Sequence, residues 1–109
     1  MEIEQKLIKE FYPVFNKYDL INIYLGENDN RGEYSIEIKA ILYRIMEWNK
    51  NKSKNGELKR EDIYEITREV FDYYFSPNLY DINRLKEMSN ELYQLLNERF
   101  GLQFMTPIN

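Results

Sequence analysis

An all-α, compact four-helix bundle-like single domain with a kinked first helix is the fold class this sequence predicts, and three observations predict it. Apolar residues recur at helical spacing in four segments. Only four Gly and three Pro interrupt 109 residues, and the one strand-like run has no partner strand elsewhere in the chain. Hydrophobic residues make up 43% and charged residues 31%, too apolar for disorder and enough for one core.

The first helix is expected from about Ile3 to Tyr18, with Ile3, Leu7, Phe11, Val14, Phe15 and Tyr18 on one broad face. Pro13 lacks an N–H and its ring crowds the preceding turn, so the helix should kink near Glu10 to Tyr12 or divide there. The stretch from Asp19 to Gly32 opens with the apolar run Leu20-Ile21-Asn22-Ile23-Tyr24-Leu25 and ends in polar turn material. It reads as a loop whose apolar residues fold down on the helices, with a short strand as the alternative.

The second helix is expected from about Glu33 to Trp48, its main stripe being Tyr34, Ile38, Ile41, Leu42, Ile45 and Trp48. Ile36 and Tyr43 point nearly opposite that stripe. Either this helix lies centrally, covered on both flanks, or it exposes an apolar strip to a partner. A flexible polar loop over residues 49–58 follows. The third helix, 59–75, turns Ile63, Ile66, Val70, Phe71 and Tyr74 inward, with Tyr64, Tyr73 and Phe75 at its edges. Glu61 and Asp62 fall in its first turn, at the positive end of the helix dipole.

Ser76 and Pro77 are suited to cap and open the fourth helix, expected over 78–100, although an earlier turn can precede the regular helix that Asp81 opens. Ile82, Leu85, Met88, Leu92, Leu95, Leu96 and Phe100 form its stripe, and Gly101 suits a C-terminal stop. The tail 102–109 offers Phe104, Met105 and Ile108 as clips onto the bundle.

The chain contains no Cys and no His. That removes thiolate nucleophiles, disulfides, serine-type triads and most zinc sites together. Catalysis by carboxylates alone would need a deep cleft around a carboxyl with a raised pKa, so the expectation is a non-enzyme with no catalytic residue and no cofactor. A calcium loop fails over Glu27 to Ile38, because Arg31 takes a ligand position and Ile38 stands where a bidentate carboxylate is needed. A looser set of Glu27, Asp29 and Glu33 has no spacing that demands a metal. No apolar run has the length of a membrane span, and Met1 to Glu10 is charged throughout, which predicts a cytoplasmic protein without a membrane partner.

Net charge is −4, distributed as −3 over residues 1–49, +4 over 50–60 and −5 over 61–109. A nucleic-acid binder is normally basic overall, so that role is disfavoured; the loop residues Lys50, Lys52, Lys54, Lys59 and Arg60 would be its only vehicle. More suggestive is the third helix, where Glu61, Asp62, Glu65, Glu69 and Asp72 share the arc opposite the core. Like charges three or four residues apart do not help a helix, so stability alone does not account for them. Glu87, Glu91 and Glu98 repeat the theme on the fourth helix. Such a face steers a basic partner, and it is also what a merely solubilising surface looks like. The leading expectation is an immunity- or antitoxin-like protein that covers a basic, nucleic-acid-degrading toxin. The alternative is an adaptor that binds a helix or peptide through Ile36 and Tyr43.

The run Phe15-Asn16-Lys17-Tyr18-Asp19-Leu20-Ile21-Asn22-Ile23, followed by a polar loop and Glu33-Tyr34-Ser35-Ile36-Glu37-Ile38, resembles the YugE-like family of small uncharacterised bacterial helical proteins. Ile63-Tyr64 and Val70-Phe71 are similar to its later helix. Leu20 and Ser35 stand where that family usually has Pro and Asp. The resemblance implies an all-helical fold and carries no activity with it.

Overall fold

The computed structural model describes residues 2–21, 34–51, 56 and 58–100. Helix α1 spans Glu2–Tyr18, α2 Ser35–Lys50, α3 Arg60–Tyr74 and α4 Ile82–Leu95, with a 3₁₀ turn at Pro77–Leu79 and a π-helical turn at Leu96–Phe100 closing α4. Among the described residues there is no strand. Each helix packs against its neighbours in the chain, and α1 also packs against α4, closing a four-membered ring. Side-chain pairs set the directions. Arg44 meets Glu69 while Trp48 and Asp62 line one groove, so α2 and α3 run antiparallel. Arg84 reaches the Tyr18 carbonyl while Val14 lies beside Gln94 and Glu98, so α1 and α4 do as well. The result is an up-down-up-down bundle, as expected from short connections.

The expected stripes supply the core. Leu7, Phe11, Phe15, Ile38, Ile41, Leu42, Ile45, Ile63, Val70, Phe71, Leu85, Met88, Leu92 and Leu96 are buried together. Phe71 is the aromatic hub, its ring centroid 6.1 Å from Phe15, 6.5 Å from Tyr34, 5.5 Å from Phe75 and 5.7 Å from Tyr80. It thereby ties α3 to α1, to the entrance of α2 and to the turn before α4.

Of the two outcomes expected at Pro13, division does not occur: α1 runs through it, and Pro13 lies on the exposed side, where the carbonyl left without a donor can be served by water. Several other expectations are corrected. Helix α2 extends to Lys50, two residues into the expected loop. The fourth helix does not start at 78. Ser76 caps only the 3₁₀ turn, and Asp81 opens α4 by accepting from the Asn83 and Arg84 N–H groups at 2.8 and 3.4 Å. That displaced start leaves Ile82 43% exposed, and Tyr74, at the last position of α3, is 42% exposed; neither is core. Trp48 is half-buried at the edge of the bundle, while Leu58, ahead of α3 and outside any helical stripe, is buried. Ile36 and Tyr43 are 59% and 66% exposed, so α2 is not covered on both flanks.

Leu20 is buried and Ile21 half-buried, as expected for the start of the loop after α1. The remainder of that loop, with Glu27, Asp29 and Glu33, lies outside the described residues, as do Lys52, Lys54, Gly101 and the tail 102–109.

Candidate protein-docking face

Helices α2 and α3 meet along a groove of about 470 Å³ whose lining includes Glu47, Asp62, Glu65 and Glu69, with Trp48 and Ile66 as its apolar part. Arg44 is the cation of the lining, and its guanidinium bonds Glu69 at 2.9 Å. The Trp48 indole N–H donates to the Gly56 carbonyl at 3.2 Å, which fixes the ring against the chain that follows α2. Gly56 has φ +81°, a left-handed conformation that favours glycine. The local sequence explains the composition. Glu47 and Trp48 fall at the rim of the α2 stripe, and Asp62, Glu65, Ile66 and Glu69 recur every three or four residues along the side of α3 that faces α2.

Helices α2 and α3 also carry exposed apolar residues outside the lining of this groove. Tyr43 stands one helical turn before Glu47, and Ile36 two turns before Tyr43; on α3, Tyr73 stands one turn beyond Glu69 and is 76% exposed. The antiparallel arrangement brings these two rows to the same end. Of the acids expected on α3, the groove takes in Asp62, Glu65 and Glu69, whereas Ile36 and Tyr43 are exposed on α2 and are not part of its lining.

The acids expected to act as one surface are, however, divided between two. On α3, Glu61 is exposed, Asp62 is half-buried and accepts from the Lys59 N–H at 2.8 Å, and Glu65 pairs with Arg68 at 3.0 Å. Asp72 accepts from the Tyr80 hydroxyl. On α4, Glu91 pairs with Lys17 at 2.8 Å and accepts from Tyr18, Glu87 stands close enough to Tyr18 to raise its pKa, and Glu98 borders a small hollow with Val14, Gln94 and Glu91. The α4 acids thus face α1, whereas Arg60 stacks on Tyr93, 4.7 Å from its ring, on the side of α4 that meets α3. Sequence periodicity places a residue opposite its own helix's core and says nothing about how two such arcs are rotated against each other. The ion pairs along α3 leave Glu65 and Glu69 about half exposed, at 51% and 57%. Surface pairs of this kind are worth about 0–1 kcal/mol and are readily exchanged for a partner's cation.

At the opposite edge, a second, more polar hollow of about 530 Å³ lies between the end of α1 and the α3–α4 connection, lined by residues including Tyr18, Asp19, Tyr80, Asp81 and Arg84. Its polar groups hold the fold together. Asp19 ends α1 with φ +42°, its N–H bonding the Phe15 carbonyl at 2.8 Å and its Oδ1 accepting from the buried Tyr34 hydroxyl at 2.6 Å. Asp tolerates this left-handed conformation better than most residues. Tyr34 Oη in turn accepts the Ile21 N–H at 3.3 Å, and Arg84 donates to the Tyr18 carbonyl at 2.7 Å. Periodicity marked Tyr34 and Tyr18 as core residues; their hydroxyl bonds were not visible in it.

No protein-family model, curated protein or solved structure matches the chain.

Among the described residues no group of three carboxylates converges as a metal set would. The carboxyl that burial pushes upward is Glu37, 5% exposed, and it lines neither hollow. Burial and the bond to Glu91 push the Tyr18 phenol up to about 12, and burial with the bond to Asp72 likewise raises Tyr80. Such groups hold their protons in place. Lys50, the first of the expected basic-loop residues, is the last residue of α2 and is engaged with Glu47 at 3.4 Å. No helix among the described residues is long and apolar enough to cross a membrane.

Proposed function

We propose that this chain is a non-catalytic protein-binding module that holds a basic protein against its α2–α3 face. The observation that carries this reading is the convergence of Glu47, Asp62, Glu65 and Glu69 on one groove beside Trp48. Arg44, Lys50 and Arg68 pair with Glu69, Glu47 and Glu65, but these are exposed and therefore weak pairs that a cationic surface can replace, and the aromatic wall gives its long side chains something to stack on. Trp48 and Ile66 supply the apolar contact area within the groove that charge alone lacks.

Within this class, the finer proposal is an immunity- or antitoxin-like role, in which the α3 carboxylates occupy the phosphate-binding surface of a basic, nucleic-acid-degrading toxin and block it. Its support is the sign of the face and the absence of Cys and His from the chain. The test is capture of a partner from the source organism by the immobilised chain, followed by association kinetics. Glu65→Lys with Glu69→Lys should slow association about ten-fold or more, and added salt should slow the parent in the same way. An association rate indifferent to both changes would remove this reading.

A further inference from the structure

We propose that Asn55-Gly56 is a site of spontaneous covalent modification: the Gly56 backbone nitrogen closes on the Asn55 side-chain amide, ammonia leaves, and water opens the ring to aspartate or isoaspartate beside Trp48. Of the chain's asparagines, Asn55 alone is followed by glycine. Any other residue at this position would set a Cβ next to the attacking nitrogen, and glycine removes that obstruction. Gly56 is exposed, and among the described residues none besides its chain neighbours puts a heavy atom within 4 Å of where a Cβ would stand. A cyclic imide formed across this step therefore meets open space. Asn55 itself lies outside the described residues, and the covalent chain alone joins its amide to the Gly56 nitrogen.

The step balances with water as its sole co-reactant. The Gly56 nitrogen gives up its proton and forms a bond to the Asn55 amide carbon; the bond from that carbon to the side-chain nitrogen breaks, and this nitrogen leaves with the proton as ammonia. Hydrolysis of the cyclic imide at one carbonyl gives aspartate. At the other it gives isoaspartate, in which the main chain runs through the side-chain methylene. Either product adds a negative charge to a chain already at −4. Because the nitrogen must lose its proton to attack, the reaction quickens as pH rises.

Other asparagines are held away from this chemistry. Asn16 and Asn90 lie within α1 and α4, where the N–H that follows is tied to a carbonyl one turn back. Asn51 precedes Lys52, and its side-chain amide donates to the Glu47 carbonyl at 3.1 Å. The Asn55 step adjoins a contact of the groove, since the Gly56 carbonyl accepts the Trp48 indole N–H at 3.2 Å. An extra methylene in the chain directly before Gly56 displaces that carbonyl. Isoaspartate thus releases the Trp48 ring, which lines the groove with Glu47 and Asp62.

The test is incubation of the full chain in mildly alkaline buffer, followed by peptide mass spectrometry and labelling of isoaspartate by a protein isoaspartate methyltransferase. The Asn55 amide should be lost progressively, faster at higher pH and with isoaspartate formed, while Asn51 keeps its amide. Emission of Trp48, the only tryptophan in the chain, should shift in step with that loss. Asn55→Gln, whose longer side chain closes a larger ring more slowly, should keep both its amide and its emission, with circular dichroism showing the helices unchanged. An Asn55 amide as durable as that of Asn51 overturns the proposal. So does aspartate without isoaspartate, which would mean direct hydrolysis by water with no part for the Gly56 nitrogen. Deamidation that leaves Trp48 emission unaltered overturns the link to the groove.

Discussion

The Arg44 guanidinium meets the Glu69 carboxylate at 2.9 Å across the α2–α3 seam, and the acidic groove lies alongside this pair. Both side chains are substantially exposed, at 41% and 57%, so water and salt screen the attraction. A double-mutant cycle with Arg44→Ala and Glu69→Ala should give a coupling of about 0.2–1 kcal/mol that shrinks as salt is added. A coupling several-fold larger, or one insensitive to salt, would mean that the pair fastens the bundle and cannot be exchanged for a partner's cation.

Phe71 should be a costly position to truncate. Its ring is fully buried and contacts aromatic rings from α1, the entrance of α2 and the α3–α4 connection. Phe71→Ala should cost about 3–5 kcal/mol in urea unfolding, a large share of the roughly 5–15 kcal/mol that holds a typical domain. Tyr73→Ala, two residues away but exposed, should change stability by about 0.5 kcal/mol or less. Comparable losses at the two sites would contradict the placement of α3.

Glu37 is buried, and its Oε1 finds no hydrogen-bond partner among the described residues. Burial raises its pKa above the ordinary 4.5, so the folded chain keeps this proton to a higher pH than the unfolded chain does. Across that window the native state binds more protons, and stability from this group falls as pH rises above 4.5. Glu37→Gln should therefore gain stability relative to the parent at neutral pH, with the advantage shrinking as pH is lowered. Loss of stability at neutral pH on this substitution would show that the carboxylate is satisfied in solution.

Glu91 behaves in the opposite sense. Partial burial disfavours its charge, but the bonds from Lys17 and Tyr18 outweigh that and lower its pKa. Here the unfolded chain binds the proton more readily, so the stabilisation is present above 4.5 and is lost as pH falls through the folded value. Glu91→Gln should flatten the acid limb of the stability curve that Glu37→Gln leaves in place. Alkaline titration of phenolate absorbance should also change: in the parent, Tyr18 ionises near 12, and in Glu91→Gln it should ionise earlier. An unmoved titration curve would show that the Tyr18–Glu91 bond is absent in solution.

Much of the bundle was legible in the chain because helical periodicity is a local property. Leu7, Phe11, Phe15, Ile38, Ile41, Ile63, Phe71, Leu85 and Leu92 are spaced to share a face with their own helix neighbours, and each is buried. Periodicity was least reliable at helix ends. Tyr74 and Ile82 are in phase with core stripes, yet they flank the 3₁₀ turn at the end of the bundle, where Asp81 restarts the helix and both remain substantially exposed. Trp48 failed for a related reason: it sits in the last turns of α2, beside the groove.

By itself the sequence determined four amphipathic helices, an acidic surface without His or Cys, and the exposure of the acids along α3, because composition and local spacing are enough for those. Only the tertiary structure decided which arcs meet. Packing turned the acids of α4 toward α1, and it brought Asp62, Glu65 and Glu69 of α3 together with Glu47 and Trp48 of α2. The rotation of one helix against another is set by how side-chain ridges from distant parts of the chain interlock, and no local pattern encodes that.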